Sequence, residues 1–134
     1  MSVVIERHDE SAWTGDATSR YFAAALAFTS QAIHLWILPD TFVVTLLPGL
    51  FFFLVAIGQG LLGVSLLFGP GRWTLRLGIS FNLLVVALWT ITRFVSLPAL
   101  TGSAQLNVGM LGIVSTVAEI ALVMSLLKLL GSEQ

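Results

Sequence analysis

The stretch from Trp73 to Val95 reads WTLRLGISFNLLVVALWTITRFV, and its central run from Leu77 to Ile91 carries no charge. As a helix rising about 1.5 Å per residue it reaches roughly 35 Å, enough to cross a hydrocarbon core of about 30 Å with some tilt. Arg72 and Arg76 mark one end and Arg93 the other. One face is not purely apolar. Trp89 and Arg93 each stay within roughly 20° of Asn82 around the axis, on either side of it, at about 100° per residue. A membrane helix turns such a stripe away from lipid, so further spans must pack against it.

Composition agrees with that demand. Of the 134 residues 57% are apolar and 10% charged, and the mean hydropathy is +0.97. A soluble domain carries about 25% charged residues, so a water-soluble reading fails. The net charge of −1 gives no reason to expect nucleic acid as a partner. The chain has no cysteine, which excludes disulfides, thiolate metal sites and iron–sulfur clusters within it.

Working outward from the quoted stretch, residues 1–19 are polar and hold Glu6, Arg7, His8, Asp9, Glu10, Trp13 and Asp16. Their charges are mixed, and they lack the apolar core and cleavage site of a secretory signal. They read as a solvent-facing tail with room for a short surface helix. Asp16 or Thr18 is suited to cap the helix that follows. The first span runs over about 20–38, RYFAAALAFTSQAIHLWIL, with Thr29, Ser30, Gln31 and His34 in its second half. Pro39 is expected to end it and Asp40 to sit in a short turn.

The second span, about 43–68, has Pro48 in its first turn or two, where a missing N–H is tolerated. Gln59 is its strongly polar side chain, surrounded by Ala56, Gly58, Gly60 and Gly63. Ala56 and Gly60 form a small-xxx-small pair that permits close helix approach in lipid. Gly69-Pro70-Gly71 is a turn signal. The third span, about 73–95, is followed by a connection over 96–106 with Pro98 and Gly102. The fourth, about 107–130, has a small-residue seam of Gly109, Gly112, Ser115 and Ala118, with Glu119 near its middle. Gly131 stops it, and residues 131–134 form a short tail.

The expected fold is therefore an all-α, four-helix transmembrane bundle with antiparallel neighbours. Four spans place both termini on one side, together with Arg7, Arg20, Arg72, Arg76 and Lys128, against Arg93 on the other. That bias predicts a multi-pass protein of the cell inner (plasma) membrane with both termini cytoplasmic.

This topology sorts the polar residues by depth. His34, Asp40 and Arg93 fall toward the outer face, with Trp89 beside them; Gln59, Asn82 and Glu119 fall near the midplane. An ionisable group there costs at least about 2.5 kcal/mol and needs a partner or a task. Glu119 reads either as a proton, cation, partner or cofactor site, or as a protonated acid hydrogen-bonded to Asn82 or Gln59. The second weighs more at this stage. Arg93 is expected to pair with Asp40 or hydrogen-bond near His34; a functional Arg93 would take an anionic headgroup, a quinone-like carbonyl or a carboxylate. His34 is expected to be hydrogen-bonded. One intramembrane histidine does not supply both axial ligands of a haem b. A metal site from His34, Asp40 and Glu119 is disfavoured by their depths. There is no H-x-x-x-H, Gly-rich phosphate loop or nucleophile elbow, so an enzyme is not expected.

The stretch His34 to Phe42, HLWILPDTF, the Gln-bearing second span and NLLVVALWTITRFVSLP from Asn82 to Pro98 together resemble a group of small bacterial four-span membrane proteins of uncharacterised activity. The resemblance covers roughly residues 30–125. It implies recurring positions at His34, Asp40, Asn82, Trp89, Thr92, Arg93 and Glu119. The chain departs from the pattern at Thr41, where a second histidine is expected, and in lacking a glycine before Pro98.

The leading expectation is a small non-catalytic integral membrane subunit of a larger respiratory, photosynthetic or transport assembly. Membrane lipids and other integral membrane subunits would be its partners. No cofactor is predicted, though bound lipid, quinone or pigment would fit such a role. One alternative is a small oligomeric proton or ion transporter using Glu119, Asn82 and Gln59, then His34 and Arg93. Another is a binder of a lipid-soluble ligand such as a quinone, in a pocket of His34, Trp36, Trp89 and Arg93.

Overall fold

The computed structural model describes residues 8–44, 46–94 and 109–132. They form four α-helices: α1 (His8–Val44), α2 (Leu46–Phe68), α3 (Arg72–Phe94) and α4 (Met110–Ser132). Each contains a stretch long and apolar enough to cross a membrane. The Pro98 and Gly102 connection, Glu6 and Arg7 of the tail, and residues 133–134 lie outside the described residues.

The helix ends follow local chemistry. Pro48 sits in the first turn of α2, where its missing N–H would have no partner inside the helix. Gly69 closes α2 with φ +93°, the left-handed conformation that glycine adopts without strain. The carbonyl of Gly71 then accepts the Leu75 N–H at 3.1 Å and starts α3. That of Gly109 accepts the Ile113 N–H at 3.1 Å and starts α4.

α1 differs from expectation at both ends. It begins at His8, so Asp16 and Thr18 lie inside it rather than at its cap, and the polar segment continues the span. It also runs through Pro39, placing Asp40 in the helix instead of a turn. Proline removes only the bond to the carbonyl four residues earlier. Pro39 is exposed and lies in the last turns of the apolar span. The Thr41 hydroxyl donates to the Ile37 carbonyl at 2.8 Å, an ordinary i to i−4 side-chain bond within the helix.

α1 packs along α2 and α4, α4 packs along α1 and α3, and α2 meets α3 only thinly. Glycines set the close approaches. Gly60 lies against Gln31, Gly63 against Phe28, Gly58 against Phe81 and Gly112 against Trp89. Gly78 is enclosed from two sides, by Leu62 and Leu126. With lipid outside there is no hydrophobic drive between helices, so such surface fit carries the association.

The interior has two unlike halves. Ala23, Ala24, Ala27, Leu62, Leu66, Leu75, Leu122, Leu126 and Leu129 form one continuous aliphatic core in the half nearer Arg20, Arg72 and Lys128. In the other half Phe52 stacks on His34 with ring centroids 5.6 Å apart, and Trp89 fills the notch at Gly112. Between the halves lies a polar layer.

Candidate functional site

The layer is built by side chains one turn apart on facing helices. α1 contributes Ser30 and His34, and α4 contributes Ser115 and Glu119. Both pairs are spaced i, i+4, so each points to one side of its helix. All four residues are between 0% and 4% exposed.

They converge on one atom. Glu119 Oε1 lies 2.8 Å from His34 Nε2 and accepts the Ser30 hydroxyl at 3.1 Å and the Ser115 hydroxyl at 3.3 Å. Ser115 Oγ is also 3.4 Å from His34 Nε2. These are hydrogen-bond distances. The short contact needs a proton between oxygen and nitrogen, either as Oε1–H donating to Nε2 or as Nε2–H donating to Oε1.

Other hydroxyls show what is distinctive here. Thr29, Ser65 and Thr90 are bonded to the carbonyl four residues earlier in their own helices, at 2.7, 2.9 and 2.8 Å. That is how a lipid-facing hydroxyl is satisfied without a partner. Ser30 and Ser115 serve the carboxyl instead.

Beside this couple lies an amide pair. Gln59 Nε2 donates to Asn82 Oδ1 at 2.7 Å, and Asn82 Nδ2 donates to the Gly78 carbonyl at 2.8 Å. The pair bridges the thin α2–α3 seam. Glu119 therefore bonds to His34 and the serines, while Gln59 and Asn82, expected as its partners, bond to each other. Leucine at Gln59 would leave Asn82 Oδ1 without this donor. Unfolding in mixed detergent micelles should show a Gln59–Asn82 coupling of about 1 kcal/mol in a double-mutant cycle with leucine at both sites.

The residues expected toward the outer face are more dispersed. Asp40 is exposed, and among the described residues it forms no ion pair with Arg93. The Arg93 guanidinium instead stacks over the Trp89 ring at 5.0 Å and donates to the Thr92 hydroxyl at 3.4 Å. Trp36 is 77% exposed, so it does not join His34, Trp89 and Arg93 around one pocket. Its helix face follows from position: His34 is turned inward, and a residue two further along points away. Among the described residues no three of His, Asp and Glu come together to hold a metal.

Three buried polar atoms in and beside the layer carry hydrogen-bonding capacity that no group among the described residues fills: His34 Nδ1, Gln59 Oε1 and Trp89 Nε1. Buried atoms of this kind ordinarily have a partner, in protein or in water.

The roles of Ser30 and Ser115 were not read from the sequence. The signal was present in the one-turn spacings Ser30–His34 and Ser115–Glu119. What it lacked was the helix order that sets those two faces against each other.

Compared with protein-family models, curated proteins and solved structures, the chain matches none.

Proposed function

We propose that the protein is a small proton-handling integral membrane protein, with the Glu119–His34 couple as the group that takes up and releases the proton. The observation that carries this reading is the 2.8 Å contact between a carboxyl and an imidazole, both buried. Had Glu119 met an amide, its proton would have had one owner. Against a histidine the same proton has two, and the pair can hold a second proton or give up the first. Ionisable pairs inside membrane bundles mark proton relays for this reason.

The two serines support the reading as well, since their hydroxyls keep donating to Oε1 when the carboxyl is ionised. An antiparallel arrangement fits the contacts between α1 and α2. Phe42 meets Gly49, Gln31 meets Gly60 and Phe28 meets Gly63, so one partner's number rises as the other's falls. With the arginine and lysine bias, this favours cytoplasmic termini and places the Arg93 end of α3 on the outer side.

The test is proton flux in proteoliposomes carrying a pH-sensitive dye inside. Glu119→Gln is expected to reduce flux to the level of protein-free vesicles while leaving helix content unchanged by circular dichroism. Flux equal to wild type in a folded Glu119→Gln protein would count against the proposal.

A second reading is an accessory subunit of a larger membrane assembly, and the thin α2–α3 contact favours it. A seam of that kind leaves the faces of α2 and α3 available to another chain. Solubilisation from the native membrane in mild detergent, with mass measurement, separates the two readings. Stoichiometric partner chains support the subunit role; a particle of this chain alone removes it.

A further inference from the structure

The polar layer is sealed unequally. Toward Arg20 and Lys128 it meets the buried aliphatic core, in which Leu62, Leu75, Leu122 and Leu126 offer no side-chain hydrogen-bonding group. Toward Arg93 it meets Trp89, whose indole nitrogen is buried without a hydrogen-bond partner. That nitrogen faces Gly112, where an added Cβ would stand only 2.9 Å away. Gly112 precedes Ser115 by three residues, so the two share a face of α4. Ser115 in turn touches both members of the couple.

We propose that Trp89 Nε1 and Ser115 Oγ bind water in the seam between α3 and α4, and that this water is the entry for the proton from the Arg93 end. The chemistry of the two groups suits water. The indole N–H only donates, a hydroxyl both donates and accepts, and water bridges the two while taking up a further proton. Glycine at 112 lets the indole nitrogen lie close against α4, where any side chain would push it away. A hydronium in the seam gives one proton to the singly protonated couple and leaves as neutral water. The couple then carries one positive charge. Ser30 and Ser115 on α1 and α4, Gln59 on α2 and Asn82 on α3 are the other polar groups of the layer, and none of them titrates. Among the described residues Arg93, stacked over Trp89, and the exposed Asp40 of α1 are charged groups toward this end.

This site rests on the proton-handling reading for its purpose, but its occupancy is measurable independently. With the protein labelled by [15N]tryptophan in bilayers, Trp89→Phe identifies the Trp89 indole signal. That N–H is expected to show magnetisation transfer from water. In proteoliposomes Trp89→Phe, which keeps a ring in the notch and removes the donor, is expected to slow proton flux about tenfold, the equivalent of one hydrogen bond. Trp36→Phe, at an exposed position, serves as the control and should leave flux unchanged. Gly112→Ala is the second variant and should slow flux with Trp89 intact. A Trp89 indole without water contact, or wild-type flux in both folded variants, overturns the site. Unchanged flux in Glu119→Gln would instead remove the proton reading, while water contact at Trp89 would still establish the binding site.

Discussion

Glu119→Ala is expected to destabilise the bundle by about 3 kcal/mol, making it one of the most damaging single substitutions in the chain. The carboxyl oxygen accepts from Ser30 and Ser115 at 3.1 and 3.3 Å and shares a proton with His34 across 2.8 Å. Alanine leaves all three groups buried without it. In water-soluble proteins, breaking a buried pair from one side costs about 3–5 kcal/mol. Separated helices in a membrane find substitute partners, so the lower end of that range applies. Glu119→Gln keeps an acceptor oxygen and should lose only about 1 kcal/mol, which is why it serves the flux experiment. Unfolding in mixed micelles, followed by circular dichroism, reads both values. The Glu119→Ala/His34→Ala double variant should lose clearly less than the sum of the single losses. Strict additivity would show that the couple does not join α1 to α4.

The second large effect is expected at Gly78. A valine there is expected to cost about 2–3 kcal/mol through overpacking. An added Cβ would lie 2.8 Å from Leu62 Cδ1 and 3.1 Å from Leu126 Cδ1, so both buried leucine side chains must shift to admit valine. The Gly78 carbonyl also holds Asn82 Nδ2, and a shift of α3 would stretch the Gln59–Asn82 bond across the thin seam. Gly131→Ala is the contrast, because nothing lies within 4 Å of its added Cβ and alanine is the better helix former. It should be neutral or slightly stabilising in the same unfolding assay. Equal losses at both glycines would mean that backbone freedom, not helix contact, sets their importance.

Much of the fold was legible because each apolar run is the length of one span. The third span was expected over 73–95 and lies at Arg72–Phe94; the second was expected over 43–68 and lies at Leu46–Phe68. The first was misjudged at both ends, since the helix begins within the polar run at His8 and continues through Pro39 to Val44. Glu119 and His34 each stood out as ionisable groups in an apolar span. That they touch was not legible. Depth estimated along each helix separately put them at different levels, and only the packing of α1 on α4 brings them together. The Gln59–Asn82 bond was hidden for the same reason.

The aliphatic core on one side of the polar layer has an electrical consequence. Glu119 is the tenth of the 23 residues of α4, close to the middle of the span. A proton that reaches it from one side only has crossed about half of the membrane voltage. A full crossing is worth about 2.3 kcal/mol per 100 mV, so the couple's hold on that proton changes by roughly 1 kcal/mol per 100 mV. Polarising the membrane by that amount alters its occupancy about sevenfold at fixed pH. Under the proposed proton entry, membrane voltage and acidity on the Arg93 side would act on the same two side chains.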